Sequence, residues 1–439
     1  MDVQSYRYAG LSHIYNPGLS VAQTITRLER FVYSEQRMLR LLASRIVTVP
    51  QRDIKVLLAR LQYEDAQHCD AWLARVHELK GQVLTKNVVD APPQSRNSSP
   101  TTQTTSQGPG HQASPDEALT LLFDEAEHLP GCYPFLRVMT TILKPALLAA
   151  YNSYRHTTNH LADYPGLRIL RSVEVEEVEH LQLLNLALLD LQPNAEELQS
   201  AEQWENSLSD YLNAAGGIDG VAPRTAAYPR QASLQPYTIP RQLTRDSTIP
   251  RIWDYEVPTQ EDEESYLHYL LGLHLSEINN AEGLALLLYE TPHMPWNICL
   301  DIARQCWDKM RHSLFGEAAI EDIYADRSAI PLRDFDGHYA MEAPPLEYFT
   351  VLGLEEGEGE AVRNTIRNSL LTTFQDFDCS DEQLHIAQRY YHLAHCHLQH
   401  TATTSAMHAR MAREHLNAVR QRHAAQPIPA PTIPGPVQN

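Results

Sequence analysis

The chain has 439 residues, enough for two or three domains with a hydrophobic core each. Its net charge is −20 before 21 histidines are counted, so it repels phosphate backbones and offers no basic face for nucleic acid. Hydrophobic residues make up 43% of it, with 21 Tyr and 5 Trp, which excludes wholesale disorder.

The N-terminal stretch MDVQSYRYAGLSH lacks the basic-then-apolar layout of a signal peptide. Residues 21–46 then place apolar side chains three and four apart, which predicts a helix. Pro50 breaks the pattern before a second helix over about 53–80. Residues 91–116 are mostly Pro, Ser, Thr and Gly with little to bury, and read as a flexible crossover. Helical period resumes over about 117–129. A long helix over 134–160 is expected to kink near Pro145, because proline lacks the N–H that its helix would use. DYPG ends it, and the next helix covers about 165–192.

Residues 213–258, rich in Pro, Gly and Arg, read as an interdomain linker. The cycle then repeats, with helices over about 261–290 and 295–315, an irregular stretch over 321–345, and helices over about 346–371 and 380–425. The proline-rich tail 426–439 is expected to be disordered. The domains expected are therefore 1–212 and 259–425, joined by 213–258. Strand patterns are nearly absent. No apolar run approaches the ~18–20 residues of a membrane span. The six cysteines contain no CxxC pair and read as reduced thiols. These features lead us to expect a cytoplasmic protein.

Two segments repeat. Residues 59–68 read ARLQYEDAQH and residues 303–312 read ARQCWDKMRH, matching at Ala, Arg, an aromatic, an acid and a final His. Glu35 lies 33 residues ahead of His68, and Glu277 lies 35 ahead of His312. Downstream, EEVEH (176–180) matches DEQLH (381–385). Residues three apart share a helix face. Asp65 with His68, Glu177 with His180, and Glu382 with His385 can thus each aim a carboxylate and an imidazole at one point. Iron and manganese accept such mixed oxygen and nitrogen donors. An ion-paired polar spot inside a helical core would use the same residues.

The pattern resembles the ferritin-like di-iron carboxylate superfamily, most closely its oxidase, oxygenase and rubrerythrin-like branches. The resemblance covers about 20–90, 118–192, 261–315 and 346–400. It implies an all-α fold of two tandem ferritin-like four-helix bundles, with 81–117 and 316–345 as the long crossover of each. It implies metal ligands Glu35, Asp65, His68, Glu177 and His180 in the first bundle. In the second it implies Glu277, His312, Glu382 and His385, with Glu356 or Glu360 as the third-helix acid. The first bundle departs from the pattern because 135–160 contains no carboxylate. The second departs at Lys309, three before His312, whose ammonium cannot ligate a metal.

The function implied is an iron- or manganese-dependent oxidase or oxygenase that acts on a small organic substrate with O2. It would carry one metal per bundle, or none in one of them. The other reading is a non-catalytic structural or partner protein with degenerate metal sites. In that case Lys309 neutralises Glu277 or Glu382 in place of a metal. Either reading allows a homo-oligomer or a protein partner, and neither involves a membrane.

Overall fold

A computed structural model describes residues 14–79, 115–226, 230, 232, 234–256, 263–292 and 294–343. The described chain is mostly helical, and none of its helices is long and apolar enough to cross a membrane. It divides into two compact units. The first comprises residues 1–49, 53–240 and 291–300, and the second 50–52, 241–290 and 301–439. The 213–258 segment, expected as a linker, is therefore shared between the units and changes hands after Pro240.

In the first unit, α1 (Val21–Thr48) starts at a capping box: Gln23 N–H donates to Ser20 Oγ, and Ser20 N–H donates to Gln23 Oε1 at 2.9 Å. From Arg30 to Leu39 every residue is buried, so this stretch is a core helix rather than a surface one. Its charged residues need partners there. Arg37 donates to Asp124 at 2.8 Å and to Glu127 at 3.0 Å. Arg30 donates to the carbonyls of Ala215, Gly217 and Ile218.

Helix α2 (Arg52–Glu78) and α3 (Glu117–Glu127) follow, the latter capped by Asp116, which accepts from Leu119 N–H at 3.1 Å. The expected long third helix is present but is not continuous α-helix. It runs as α4 (Cys132–Val138), a π turn over Met139–Leu143, and α5 (Lys144–Thr157). Lys144 N–H reaches back five residues to Met139 O, and Pro145 then follows without an N–H to place. The wide turn lies immediately before the proline, where a kink was expected.

Helix α6 (Tyr164–Asp190) packs on α5. A further helix, α7 (Ala195–Ala214), packs on α3 and α4 and was not expected. Its start is written locally, since Asn194 and Glu197 form a second capping box at 2.9 Å each way. The chain then turns through Gly216, Gly217 and Gly220, all at positive φ. At Gly220 a Cβ would stand 2.8 Å from the Arg30 guanidinium carbon, so the close approach of that arginine requires glycine.

The second unit contains α8 (Glu263–Leu275) and α9 (Glu277–Glu290), one predicted helix interrupted at Ser276. Most of α10 (Trp296–Tyr324) belongs to this unit. It continues nine residues past the expected end at 315, so the connection after it begins later than expected. Two short strands, β1 (Arg251–Ile252) and β2 (Leu332–Arg333), pair in parallel, and α11 (Phe335–Glu342) packs on α9. Arg245 ties this unit together by donating to both oxygens of buried Glu282 and to Asn279. The expected helices over 346–371 and 380–425 lie outside the described residues, as does the tail.

Candidate metal centre

Side chains from α1, α2, α5 and α6 converge on one point in the first unit. Glu35 comes from α1, Asp65 and His68 from α2, Lys144 and Tyr151 from α5, and Glu177 and His180 from α6. His68 is 3% exposed, and the other six have no exposed surface. The i, i+3 registers do what helix geometry requires. Asp65 and His68 share one face of α2, and Glu177 and His180 share one face of α6.

Lys144 sits inside the cluster. Its Nζ donates to Asp65 Oδ1 at 2.7 Å and to Glu177 Oε1 at 2.8 Å, and stands 3.3 Å from His180 Nδ1. An ammonium has three N–H donors, and these are three acceptors. The acid expected from the third helix is thus replaced there by a cation. Both carboxylates that hold Lys144 use one oxygen and leave the other, Asp65 Oδ2 and Glu177 Oε2, buried without a hydrogen-bond partner. Glu35 repeats the pattern, with Oε1 accepting from Tyr151 OH and Oε2 without a partner. His68 Nδ1 lies 3.4 Å from Glu35 Oε1 and from Glu177 Oε1 but forms no hydrogen bond.

Glu35, Asp65, His68 and Glu177 each present a donor atom, and these atoms all lie within 4.8 Å of one another. Bonds from first-row metals to such donors are about 2.0–2.2 Å, so opposite ligands stand about 4.4 Å apart. The four residues fit one metal ion with a small contraction. Three oxygens and one nitrogen are a donor set that divalent first-row metals accept.

The outer contacts are reciprocal. His68 of α2 bonds through Nε2 to Glu176 of α6 at 2.7 Å, and His180 of α6 bonds through Nε2 to Glu64 of α2 at 2.7 Å. Each His therefore turns Nδ1 inward, and the two rings stack 5.8 Å apart. Tyr151 accepts from Trp72 Nε1 at 3.3 Å while donating to Glu35. Phe31 packs against Trp72, Tyr151 and Tyr154 at 4.9–5.7 Å, an aromatic floor beneath Glu35.

Electrostatics follow from burial and this pairing. Burial and the charges of Glu177 and Glu35 push Asp65 up to about 7, against the pull of Lys144. Burial alone would raise Glu177, but Lys144 and the two histidines hold it well below the usual carboxylate range. Burial opposes charge on Lys144 and on His68. The surrounding carboxylates outweigh it and raise both above their ordinary values. Burial, with Glu35 and Glu177 adding to it, keeps the Tyr151 phenol protonated.

All five first-bundle residues named from the sequence thus meet at this point. Lys144, Tyr151, Glu64 and Glu176 belong to the same site and were missed. A signal for two of them existed, since Glu64-Asp65-x-x-His68 and Glu176-Glu177-x-x-His180 share a doubled acid. In the second unit Lys309 Nζ stands 3.0 Å from Glu277 Oε2. Burial raises Glu277, but Lys309 and His312 together take it well below the ordinary value. Glu356, Glu360, Glu382 and His385 lie outside the described residues. Comparison of the chain with family models, with curated proteins and with solved structures finds no match.

Proposed function

We propose that the first unit holds one iron or manganese ion between Glu35, Asp65, His68 and Glu177. We further propose that the chain is an oxidase or oxygenase of the ferritin-like kind, acting on a small organic molecule with O2. The observation that carries the metal reading is a buried set of four residues that offer donor atoms within 4.8 Å of one another, each of which also keeps one polar atom without a hydrogen-bond partner. Buried polar atoms are normally satisfied, and a cation would satisfy the unpartnered atom on each of these four clustered residues. Iron or manganese, when bound, supplies one-electron chemistry toward O2.

The protein's own residues would do the remaining work. Glu176 orients His68 and, with its side chain 40% exposed, gives the imidazolium proton a route to solvent. Glu64 orients His180 through its Nε2 contact at 2.7 Å. Tyr151 fixes Glu35 through its donated hydrogen bond to Oε1 and leaves Oε2 without a partner. The aromatic floor excludes water from that side.

The second reading, a non-catalytic partner protein, is favoured by one observation. Lys144 already neutralises two of the buried acids. Protein purified without chelators or a histidine tag separates the two readings. The enzyme reading expects iron or manganese in the isolated protein, and its loss in Glu35→Gln and His68→Gln. It also expects O2 uptake that follows metal content across a panel of small reductants. Metal content that ignores both substitutions would refute the site, and bound metal with no O2 uptake would leave the partner reading.

A further inference from the structure

We infer that Lys144 occupies a second cation position, so that the centre pairs one metal ion with one fixed ammonium and is limited to a single metal by this residue. The inference rests on the metal reading above and specifies its stoichiometry.

The geometry divides the donor atoms into two sets. One set is Glu35 Oε2, Asp65 Oδ2, His68 Nδ1 and Glu177 Oε2, all without hydrogen-bond partners. The other is Asp65 Oδ1, Glu177 Oε1 and His180 Nδ1, all on Lys144 Nζ within 3.3 Å. Asp65 and Glu177 belong to both sets, one oxygen to each. Each thus has one oxygen on the ammonium and one left over, as a carboxylate that bridges two cations would need. Two oxygens and an imidazole nitrogen around one point are themselves a metal-type donor set. Two cations sharing bridging ligands sit about 3.5–4 Å apart in two-metal centres.

The charges agree with this division. Glu35, Asp65 and Glu177 can carry three negative charges, enough for a divalent ion and one ammonium. The π turn that ends at Lys144 sets the inward direction of this side chain, and Lys144 has no exposed surface through which to withdraw. The same substitution logic appears in the second unit, where Lys309 pairs with Glu277.

Manganese(II) is the probe. Bound metal is counted by equilibrium dialysis, and its environment is read by electron paramagnetic resonance. The unmutated protein should show uncoupled manganese at the Glu35 site, lost on Glu35→Gln. Lys144→Glu should bind one more ion per chain and show an exchange-coupled pair, and adding His180→Ala should remove both gains. Lys144→Gln frees the same three donor atoms, should also gain an ion, and covers the case in which the glutamate variant does not fold by circular dichroism. A coupled pair in the unmutated protein would overturn the inference. So would an unchanged count in both folded lysine variants while the unmutated protein still binds its ion. Absence of any Glu35-dependent binding in the unmutated protein would instead overturn the metal reading, and this inference with it.

Discussion

Lys144 has no exposed surface, and two carboxylates and an imidazole accept its three N–H groups. Removing such a charge strands its partners, and breaking a buried pair from one side costs about 3–5 kcal/mol. Lys144→Met, which keeps the apolar stem, is therefore expected to lose about that much in urea unfolding without metal. Saturating manganese should recover most of the loss, since a cation can take the vacated position. A variant as stable as the unmutated protein would mean that the ammonium is not needed there. The sequence made the acids and histidines of this site legible, because their i, i+3 spacing is a local property of a helix. Lys144 was not legible. It stands alone between apolar residues in MTTILKPALLAA, and nothing in that stretch names Asp65, which is 79 residues away. Lys309, by contrast, interrupts a repeated motif, whereas Lys144 interrupts only a hydrophobic run.

At the scale of single elements, the π turn and the caps carry testable consequences. One residue removed from Met139–Leu143, at exposed Thr141, would restore α-helical spacing and rotate the two flanking helices by about 100° relative to each other. Either Lys144 or the buried face of Phe135, Leu136 and Val138 must then leave the core. The deletion should cost at least about 3 kcal/mol, read as a fall in the denaturation midpoint, with no added metal restoring it. Asp116, which is not among the metal donors, offers a pH test. Burial opposes its charge, but Leu119 N–H, Arg30 and Arg224 outweigh that and hold its pKa below the ordinary 3.8. The charged form thus adds stability that is complete above pH 3.8 and is lost as pH falls through the lower folded value. Asn is as good an N-cap as Asp, so Asp116→Asn isolates the arginine pairing. It should lose about 1–2 kcal/mol at neutral pH. The gap should close as pH drops below 3.8, and an equal gap at pH 7 and at pH 2.5 would refute the assignment.

At the scale of the whole molecule, a ligand that binds only the folded first unit stabilises that unit by mass action, about 2.7 kcal/mol at a hundredfold excess over Kd. Hydrogen exchange with saturating manganese should therefore slow in α1, α2 and α6, the helices that supply the donors, and in α5, which joins them through Lys144 and Tyr151. Equal slowing in α9 would point to a metal effect outside the first-unit site. The sequence by itself determined the helical class, the positions of most helices and the Glu/Asp-x-x-His faces. Each of these depends on the 3.6-residue period and on acids and imidazoles placed within one turn. It also contained the Asn194–Glu197 capping box of α7, a local signal that was present and overlooked. Only the tertiary structure decided which side chain fills the third-helix position. Only the tertiary structure, too, showed that the doubled acids Glu64 and Glu176 cross to the opposite helix's histidine, and that part of the 213–258 stretch packs as core of the first unit, with Ile218 and Ile239 buried. These outcomes depend on contacts between residues 79 to 188 positions apart. Such contacts are selected by packing and by the need to neutralise buried charge, and neither has a period along the chain.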